Sequence, residues 1–288
     1  MNLPAYVTVV TVMEECAKKF KANLTLCAYI MGMIDTHCHL ELMKNVDDVV
    51  ARCRATLRGV VSVATHPNDY EKCLALSKKH NGFVFMGAGV HPEYVKELDT
   101  KTVEKAFSWI RRHERDIVGV GEQGLDYFWI KETYWRERQK ELFVKCIELA
   151  KELDKVLIVH TREAHEDAIK ILTKNGAERV QLHMWGDSSF AAAIKDNGWL
   201  VSVGPVSKRS KKHQNVARDV PLEQLMLETD SPWFGGKETH GKLIGEPTNI
   251  RVGARVIAEI KGTTEQEVME TCAKNAEKLF KIRGANHA

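Results

Sequence analysis

The sequence predicts a single (β/α)8 TIM barrel, an α/β fold, and three observations lead to it. Short apolar runs rich in β-branched residues recur along the chain, and a segment with helical spacing follows most of them. Most runs are apolar at successive positions, which is typical of parallel strands buried on both faces. The 288 residues contain no Pro/Gly/Ser-rich linker, and such barrels run to about 250 residues as one unit.

Eight strands can be read in order along the chain. They contain MID near residue 34, GVVSVAT from 59, FVFMGAGV from 83, IVGVGEQG from 117, VLIVH from 156, VQLHM from 180, WLVSVG from 199 and QLMLETD from 224. Segments such as VDDVVARCRATL, TVEKAFSWIRRHE and YWRERQKELFVKCIELAKELD repeat apolar residues three and four apart, which predicts helices. A C-terminal helix begins after Thr264 as its cap. An open doubly wound sheet is the alternative, but no G-x-G-x-x-G follows the first strand.

Residues 1–30 stand outside this alternation, so we expect an N-terminal extension, either an added helix or a poorly ordered segment, before a barrel domain at 31–288. The apolar run AYVTVVTVM is too short to cross a bilayer and lacks the basic start of a secretory signal. Seven cysteines without a C-x-x-C pair fit free thiols in a reducing compartment. We therefore expect a cytoplasmic protein without a membrane partner. The oligomeric state stays open.

The stretch MIDTHCHL places two histidines two residues apart at the end of the first predicted strand. Because side chains alternate along a strand, Asp35, His37 and His39 are expected on one face, with Cys38 on the other, toward the helices. An isolated H-x-H is weak evidence for a metal site. It gains weight only if the rest of the chain supplies further ligands.

Further ligands occur where a barrel would place them. Catalytic groups lie at the carboxyl ends of barrel strands, and seven of the eight predicted strands carry a histidine or a carboxylate there: His37 and His39, His66, His91, Glu122, His160, His183 and Asp230. Each alone could be a buried histidine or a helix cap. Together they would be costly to bury without a cation. Four histidines with Glu122 and Asp230 exceed the needs of one four-coordinate ion, which predicts two divalent cations, with Mg, Mn and Zn left open.

Six motifs follow one another along the chain, namely DTHCHL, GVHPE, GEQGLDY, VHTREA, LHMWG and LETDSPW, and then EPTNI. In this order they resemble the motifs of the TatD family of metal-dependent deoxyribonucleases, over Met33 to about Ile282. The chain departs from the family pattern at Gln123, at HMWGD and at DSPWFGG. These departures leave every potential metal ligand in place and affect the substrate pocket.

The resemblance implies a two-metal hydrolase. Its implied metal ligands are His37 and His39 for one ion, His160 and His183 for the other, Glu122 as the bridge, and Asp230, which completes the first site and orients or deprotonates the water. The resemblance also implies that His91 lies behind the metal ligands or near the substrate phosphate, and that Arg162 contacts a phosphate.

The substrate is the least determined part of the sequence interpretation. A net charge of +3 is too small to predict general nucleic-acid binding but allows a basic patch. Such a patch follows strand seven and contains Lys208, Arg209, Lys211 and Lys212. The tryptophans that could stack on an unpaired base are Trp129, Trp185 and Trp233. The leading hypothesis is a deoxyribonuclease that degrades single-stranded DNA from the 3′ end. The alternatives are hydrolysis of an ester or amide, such as D-aminoacyl-tRNA or a cyclic amide, and a catalytically silent nucleic-acid binder.

Overall fold

A computed structural model describes residues 32–234, 237–239 and 242–283. Its strands are β1 (Met33–Cys38), β2 (Leu57–Ala64), β3 (Val84–Ala88), β4 (Ile117–Asp126), β5 (Val156–Arg162), β6 (Val180–Leu182), β7 (Leu200–Val203), β8 (Leu225–Leu227), β9 (Lys237–Thr239) and β10 (Lys242–Ile244). Its helices are α1 (Val46–Arg54), α2 (Tyr70–Lys79), α3 (Thr100–Arg112), α4 (Thr133–Glu152), α5 (His165–Lys174), α6 (Ala191–Asp196), α7 (Lys211–Asp219), α8 (Arg251–Lys261) and α9 (Glu265–Phe280). Residues 1–30, where an N-terminal extension is predicted, lie outside the described residues.

The first eight strands form one parallel sheet in the order β1 to β8. A bridge between Cys38 and Ser231 links its two edges, and the His39 amide donates to the Ser231 carbonyl at 2.7 Å. A helix follows each strand, and α9 is added at the end. The predicted (β/α)8 barrel with a C-terminal helix is therefore confirmed. After β8, strands β9 and β10 form a short antiparallel pair.

The apolar residues divide into an inner and an outer layer. Ile34, Val61, Ile158 and Met226 belong to one cluster, which fills the barrel interior and is closed by α9 through Phe280. The larger cluster lies between the strands and the helices. Burial of each such side chain contributes roughly 1.5–3 kcal/mol, so the two layers hold the strand ends in fixed positions.

Helix α9 begins where the sequence predicts, because the Thr264 hydroxyl accepts the amide hydrogen of Glu267 at 3.1 Å. Within the described ranges, no helix combines the length and the apolar character that a membrane span needs. The cysteines found there as free thiols are Cys38, Cys53, Cys73, Cys146 and Cys272, all buried. The cytoplasmic location stays a prediction.

Candidate metal centre

An irregularity in β1 decides which side chains face the barrel interior. Between Asp35 and Cys38 the strand advances three residues while its partner β2 advances two, from Val60 to Ser62. The extra residue reverses the alternation of side chains. His37 and His39 consequently face the centre, whereas the Asp35 carboxylate accepts hydrogen bonds from the amide and hydroxyl of Thr229. The prediction that Asp35 shares their face is wrong.

A second irregularity places Glu122. Gly121 pairs with Ile158 and Gln123 with Val159, so Glu122 is the extra residue in β4. The strand then continues to Asp126, and Glu122 is not at its end as the sequence pattern predicted. Close packing here requires glycine, because a Cβ on Gly124 (φ 151°) would lie 2.0 Å from the His160 carbonyl oxygen.

The two oxygens of the buried Glu122 carboxylate face different sets of histidines. Oε2 lies 3.1 Å from His37 Nε2 and 4.0 Å from His39 Nε2. Oε1 lies 2.8 Å from His160 Nδ1, 3.5 Å from His91 Nε2 and 3.7 Å from His183 Nε2. Burial raises the pKa of Glu122, but the surrounding histidines outweigh it and hold the pKa well below its usual range. The carboxylate is therefore ionised at the middle of the cluster.

Asp230 closes the cluster from the opposite side. It lies beyond β8 with φ 54°, a left-handed conformation. Its Oδ1 is 3.1 Å from His39 Nε2 and 3.9 Å from His37 Nε2, and its Oδ2 is 3.9 Å from His183 Nε2. Against the effect of burial, these histidines lower the pKa of Asp230. Two ionised carboxylates therefore face each other across the imidazole rings.

Three of the rings are held from behind by hydrogen-bond acceptors. His39 Nδ1 donates to the Val63 carbonyl at 2.8 Å. The other two pairs are His183 Nδ1 with Glu228 Oε2 at 2.6 Å and His160 Nε2 with Asp126 Oδ2 at 3.0 Å. A ring that donates from one nitrogen keeps a lone pair on the other, which is the arrangement found behind metal-ligating histidines.

His37 supplies the strongest sign that a cation fits. Its Nδ1 is buried without a hydrogen-bond partner among the described residues, and its Nε2 lies 3.1 Å from Glu122 Oε2 without the alignment of a hydrogen bond. The ring stacks on His183 with centroids 3.6 Å apart. Burial and the neighbouring His183 lower the pKa of His37 although Glu122 opposes them, so the neutral ring has one nitrogen with a lone pair to offer a cation. A divalent cation would satisfy this donor set.

Three other rings of the cluster attract protons. Burial lowers the pKa of His39, but Asp230 and Glu41 outweigh burial and raise it well above its usual range. Burial lowers the pKa of His160, but Asp126 and Glu122 outweigh burial and raise it to about 9. The pKa of His183 is likewise raised to about 9, since Glu228, Glu122 and Asp230 overcome its burial. A site that raises the pKa of His39, His160 and His183 has negative charge to offer a metal ion.

All six predicted ligands thus come together. The groups with the spacing needed for a metal ion are His37, His39 and Glu122; His37, His183 and Asp230; and His91, Glu122 and His160. Sequence reasoning missed the two carboxylates behind the rings, Asp126 and Glu228. Both lie inside quoted motifs, GEQGLDY and LETDSPW, where their acidic side chains close to a predicted ligand were the available signal.

His66 and His91 accept hydrogen bonds at Nδ1, whereas His39 and His183 donate from that atom. Each of the first two is followed by proline and caps a 3₁₀ helix, at Pro67–Asp69 and Pro92–Lys96. Their Nδ1 atoms accept backbone N–H groups, from Asn68 at 3.1 Å and from Glu93 at 3.2 Å. A backbone amide can only donate, so each neutral ring carries its hydrogen on Nε2. His91 therefore presents an N–H toward Glu122 and not a lone pair.

The predicted substrate contacts lie at the mouth of the barrel. The exposed Arg162 guanidinium stacks on Phe128 at 3.7 Å, and Lys208 and Arg209 are exposed after β7. Trp129 and Trp233 are 59% and 55% exposed. Trp185 is different, because it is buried and its indole N–H donates to the Asp187 carbonyl at 2.6 Å. The prediction that Trp185 is available for base stacking is therefore wrong.

Comparison with known proteins agrees with this geometry. The profile described as TatD related DNase matches residues 34–281. This chain belongs to the TatD-related DNase family. Among its relatives is the deoxyribonuclease TATDN3 of Homo sapiens, 34% identical over 263 residues, covering 87% of this chain and 95% of the relative. Another is the uncharacterized metal-dependent hydrolase YabD of Bacillus subtilis, 33% identical over 262 residues, covering 87% and 99%.

Solved structures of TatD proteins share the fold. The YjjV TatD homolog of Escherichia coli superimposes with a TM-score of 0.78 at 25% identity, covering 88% of this chain and all of that one. A TatD family hydrolase of Entamoeba histolytica gives a TM-score of 0.76 at 21% identity, covering 86% and 98%. The predicted family is confirmed, and with it the enzyme class, a metal-dependent hydrolase of the TatD type.

Proposed function

We propose that this TatD-family protein is a divalent-metal-dependent deoxyribonuclease that cleaves phosphodiester bonds from the 3′ end of single-stranded DNA. The observation that carries the metal part of this proposal is the position of Glu122. Its Oε2 faces His37 and His39, whereas its Oε1 faces His160 and His183. A carboxylate between two sets of imidazoles is suited to bridge two cations.

The proposed ligands follow from this division. His37, His39, Glu122 and Asp230 would hold one ion, and Glu122, His160 and His183 the other. The mixture of imidazole and carboxylate suits Zn or Mn better than Mg, which prefers oxygen. Divalent cations held by these residues would supply a Lewis acid for the activation of water and for neutralising charge on the phosphate.

The protein's own groups perform the proton and orientation steps. Asp230, ionised because its pKa is lowered, accepts the proton of the attacking water on its carboxylate. His91 donates its Nε2–H to a phosphate oxygen, since its Nδ1 is occupied by the Glu93 amide. Asp126 and Glu228 hold the rings of His160 and His183 through hydrogen bonds of 3.0 and 2.6 Å. The fixed rings reduce the reorganisation needed during the reaction.

DNA as the substrate is supported by the relative named deoxyribonuclease and by the mouth of the barrel. Arg162, Lys208 and Arg209 offer exposed cations for phosphates, and the exposed Trp129 offers a ring for an unpaired base. Stacking of this kind needs bases that are not paired, which favours a single strand.

The test uses protein stripped of metal and then resupplied with Mg, Mn or Zn. Cleavage of 5′-labelled and 3′-labelled single-stranded DNA is followed on gels, with Asp230→Asn as the matched variant. We expect metal-dependent shortening of the 5′-labelled strand one nucleotide at a time, lost in Asp230→Asn. Absence of cleavage under every metal would overturn the nuclease proposal and favour ester or amide substrates. DNA binding without turnover would favour the silent binder.

A further inference from the structure

His66 follows β2 and belongs to no potential metal-binding group among the described residues. The residue is only 9% exposed. Its Nδ1 accepts the Asn68 amide hydrogen, so the neutral ring carries its hydrogen on Nε2. That Nε2 is buried and has no hydrogen-bond partner among the described residues. Because burying an unpaired donor carries an unfavourable desolvation cost, this N–H is a candidate for ligand recognition.

The carboxylate of Glu97 stands beside this donor. Glu97 Oε1 lies 3.4 Å from His66 Nε2, and the Glu97 side chain is 63% exposed. Tyr94 packs edge-on against His66, with ring centroids 4.8 Å apart, and also against His91 at 6.3 Å. The amide of His91 donates to the carbonyl of Thr65, the residue before His66. His66 and Glu97 therefore flank the group around Glu122, on the side of β2 and β3.

A donor and an acceptor at this spacing match a hydroxyl group, which both donates and accepts. An oxygen atom about 2.8 Å from each of two atoms 3.4 Å apart satisfies ordinary hydrogen-bond distances. A phosphate suits this place less well, because the Glu97 carboxylate lies 3.4 Å from His66 Nε2, and the carboxylates of Asp69 and Glu93 also act on the neighbouring Tyr94. Together with burial, these three carboxylates raise the pKa of Tyr94 to about 12. The space beside His66 and Glu97 therefore suits a neutral polar group better than an anion.

The basic residues lie across the mouth. Lys208 and Arg209 follow β7, which is four strands from β3 in the barrel order. A polyanion attracted by these cations approaches the centre from the β7 side. Its last sugar then meets the acidic rim on the β2–β3 side.

We propose that His66 and Glu97 form a subsite that binds the 3′-hydroxyl of the terminal nucleotide. The proposal rests on the proposed deoxyribonuclease function and adds the feature that selects a strand end. The hydroxyl oxygen accepts from His66 Nε2–H, and its hydrogen is donated to the Glu97 carboxylate.

Four variants separate this role from a structural one. His66→Asn keeps a side-chain oxygen near the position of Nδ1 for the Asn68 cap but has no distal N–H. His66→Gln keeps a distal N–H and loses the cap. Glu97→Gln removes the proposed acceptor charge. Glu93→Gln removes the same charge from the 3₁₀ helix that precedes Glu97, and serves as the control for general rim charge.

The experiment compares 5′-labelled single strands that end in a 3′-hydroxyl, a 3′-hydrogen or a 3′-phosphate. Binding is measured by fluorescence anisotropy on metal-free protein, and KM and kcat are measured on metal-loaded protein. For the wild type we expect about tenfold tighter binding of the hydroxyl end than of the hydrogen end, and the weakest binding for the phosphate end. His66→Asn should lose this discrimination, Glu97→Gln and His66→Gln should keep part of it, and Glu93→Gln should keep it in full.

Equal binding of hydroxyl and hydrogen ends by the wild type would overturn the proposal, as would full discrimination by His66→Asn. Either result, with DNA still cleaved, leaves the deoxyribonuclease function standing. If the wild type neither binds nor cleaves any of the three strands, the proposed function itself fails.

Discussion

The histidines at the barrel mouth divide into two regions that use the same ring in opposite ways. After β1 and β6, His39 and His183 donate Nδ1–H to an acceptor behind them and turn Nε2 toward the carboxylates. After β2 and β3, His66 and His91 accept a backbone N–H at Nδ1 and present Nε2–H toward Glu97 and Glu122, respectively. The group behind the ring therefore determines whether a histidine offers a lone pair to a cation or a hydrogen to an oxygen.

Local structure explains this division. The His-Pro sequence starts a 3₁₀ helix after both β2 and β3, and the amide two residues on then meets the histidine's Nδ1. The rings on and after the other strands have acceptors from neighbouring strands behind them, such as the Val63 carbonyl. A histidine in the His-Pro position is thus unsuited to bind a metal through Nε2 while its cap is formed.

The largest expected effect comes from removing the charge between the two sets of rings. Glu122→Gln should lower DNA cleavage by more than about 10³-fold, because Lewis-acid stabilisation is worth several kcal/mol. Metal content measured by mass spectrometry should fall in parallel. Glu104→Gln, which loses only an exposed pairing with Lys145, is the control. Full activity in Glu122→Gln would contradict the bridging role.

The groups behind the rings should have the next largest effect. Asp126→Asn and Glu228→Gln each keep the size of the side chain but weaken the acceptor for His160 or His183. We expect metal affinity and kcat/KM to fall by about 10- to 100-fold, measured by metal titration and steady-state kinetics. His66→Asn, in the other region, should leave metal affinity unchanged. Equal losses in all three variants would mean that the two regions do not differ in function.

Much of the fold and the site could be predicted because both follow from position along the chain. Successive apolar runs located the eight strands, and the rule that barrel chemistry sits at strand ends brought His160, His183 and Asp230 to one place. The side of β1 that Asp35 faces could not be predicted, since the extra residue in its pairing with β2 depends on contacts between strands. Nor does the sequence distinguish the buried Trp185 from the exposed Trp129.

The sequence also does not show which nitrogen of each histidine ring faces the centre of the cluster. Asp126 and Glu228 form hydrogen bonds with His160 and His183, which are 34 and 45 residues away in the chain. Their pairing depends on the register between β4 and β5 and on the bend after β8. Local alternation carries no information about such partners, because it describes one strand at a time.

His165 belongs to neither group of histidines, and its burial affects the stability of the protein. The ring of His165 packs edge-on against Trp185 at 4.5 Å, and its Nε2 is buried without a partner among the described residues. Burial lowers its pKa to about 4, although Asp187 opposes this. In the unfolded chain the His165 ring has a pKa near 6.5. Between pH 6.5 and 4 it therefore binds a proton in the unfolded chain that it does not bind in the native state. The contribution of the neutral His165 ring to stability is therefore complete above pH 6.5 and is lost as the pH falls toward 4.

His165→Phe should remove this dependence. Urea unfolding of the metal-free wild type and the variant at pH 7.5 and 5.0 should show the wild type losing up to about 2 kcal/mol more than the variant on acidification. The other titrating groups are shared, so the difference isolates His165. Parallel losses in both proteins would show that this ring is already protonated in the native state.

The smallest effect is expected on the basic side of the mouth, which the acidic β2–β3 rim faces. Replacing Lys208 and Arg209 by alanine should weaken DNA binding only a few-fold at physiological salt, because both side chains are exposed. The slope of log affinity against log salt should fall by about 0.7 for each phosphate of the single strand that these cations no longer neutralise. A double variant at Lys145 and Lys170, which pair with Glu104 and Glu166 on the helices, removes the same charge elsewhere. A slope that changes equally in both double variants would mean that net charge, and not a track across the mouth, attracts the strand.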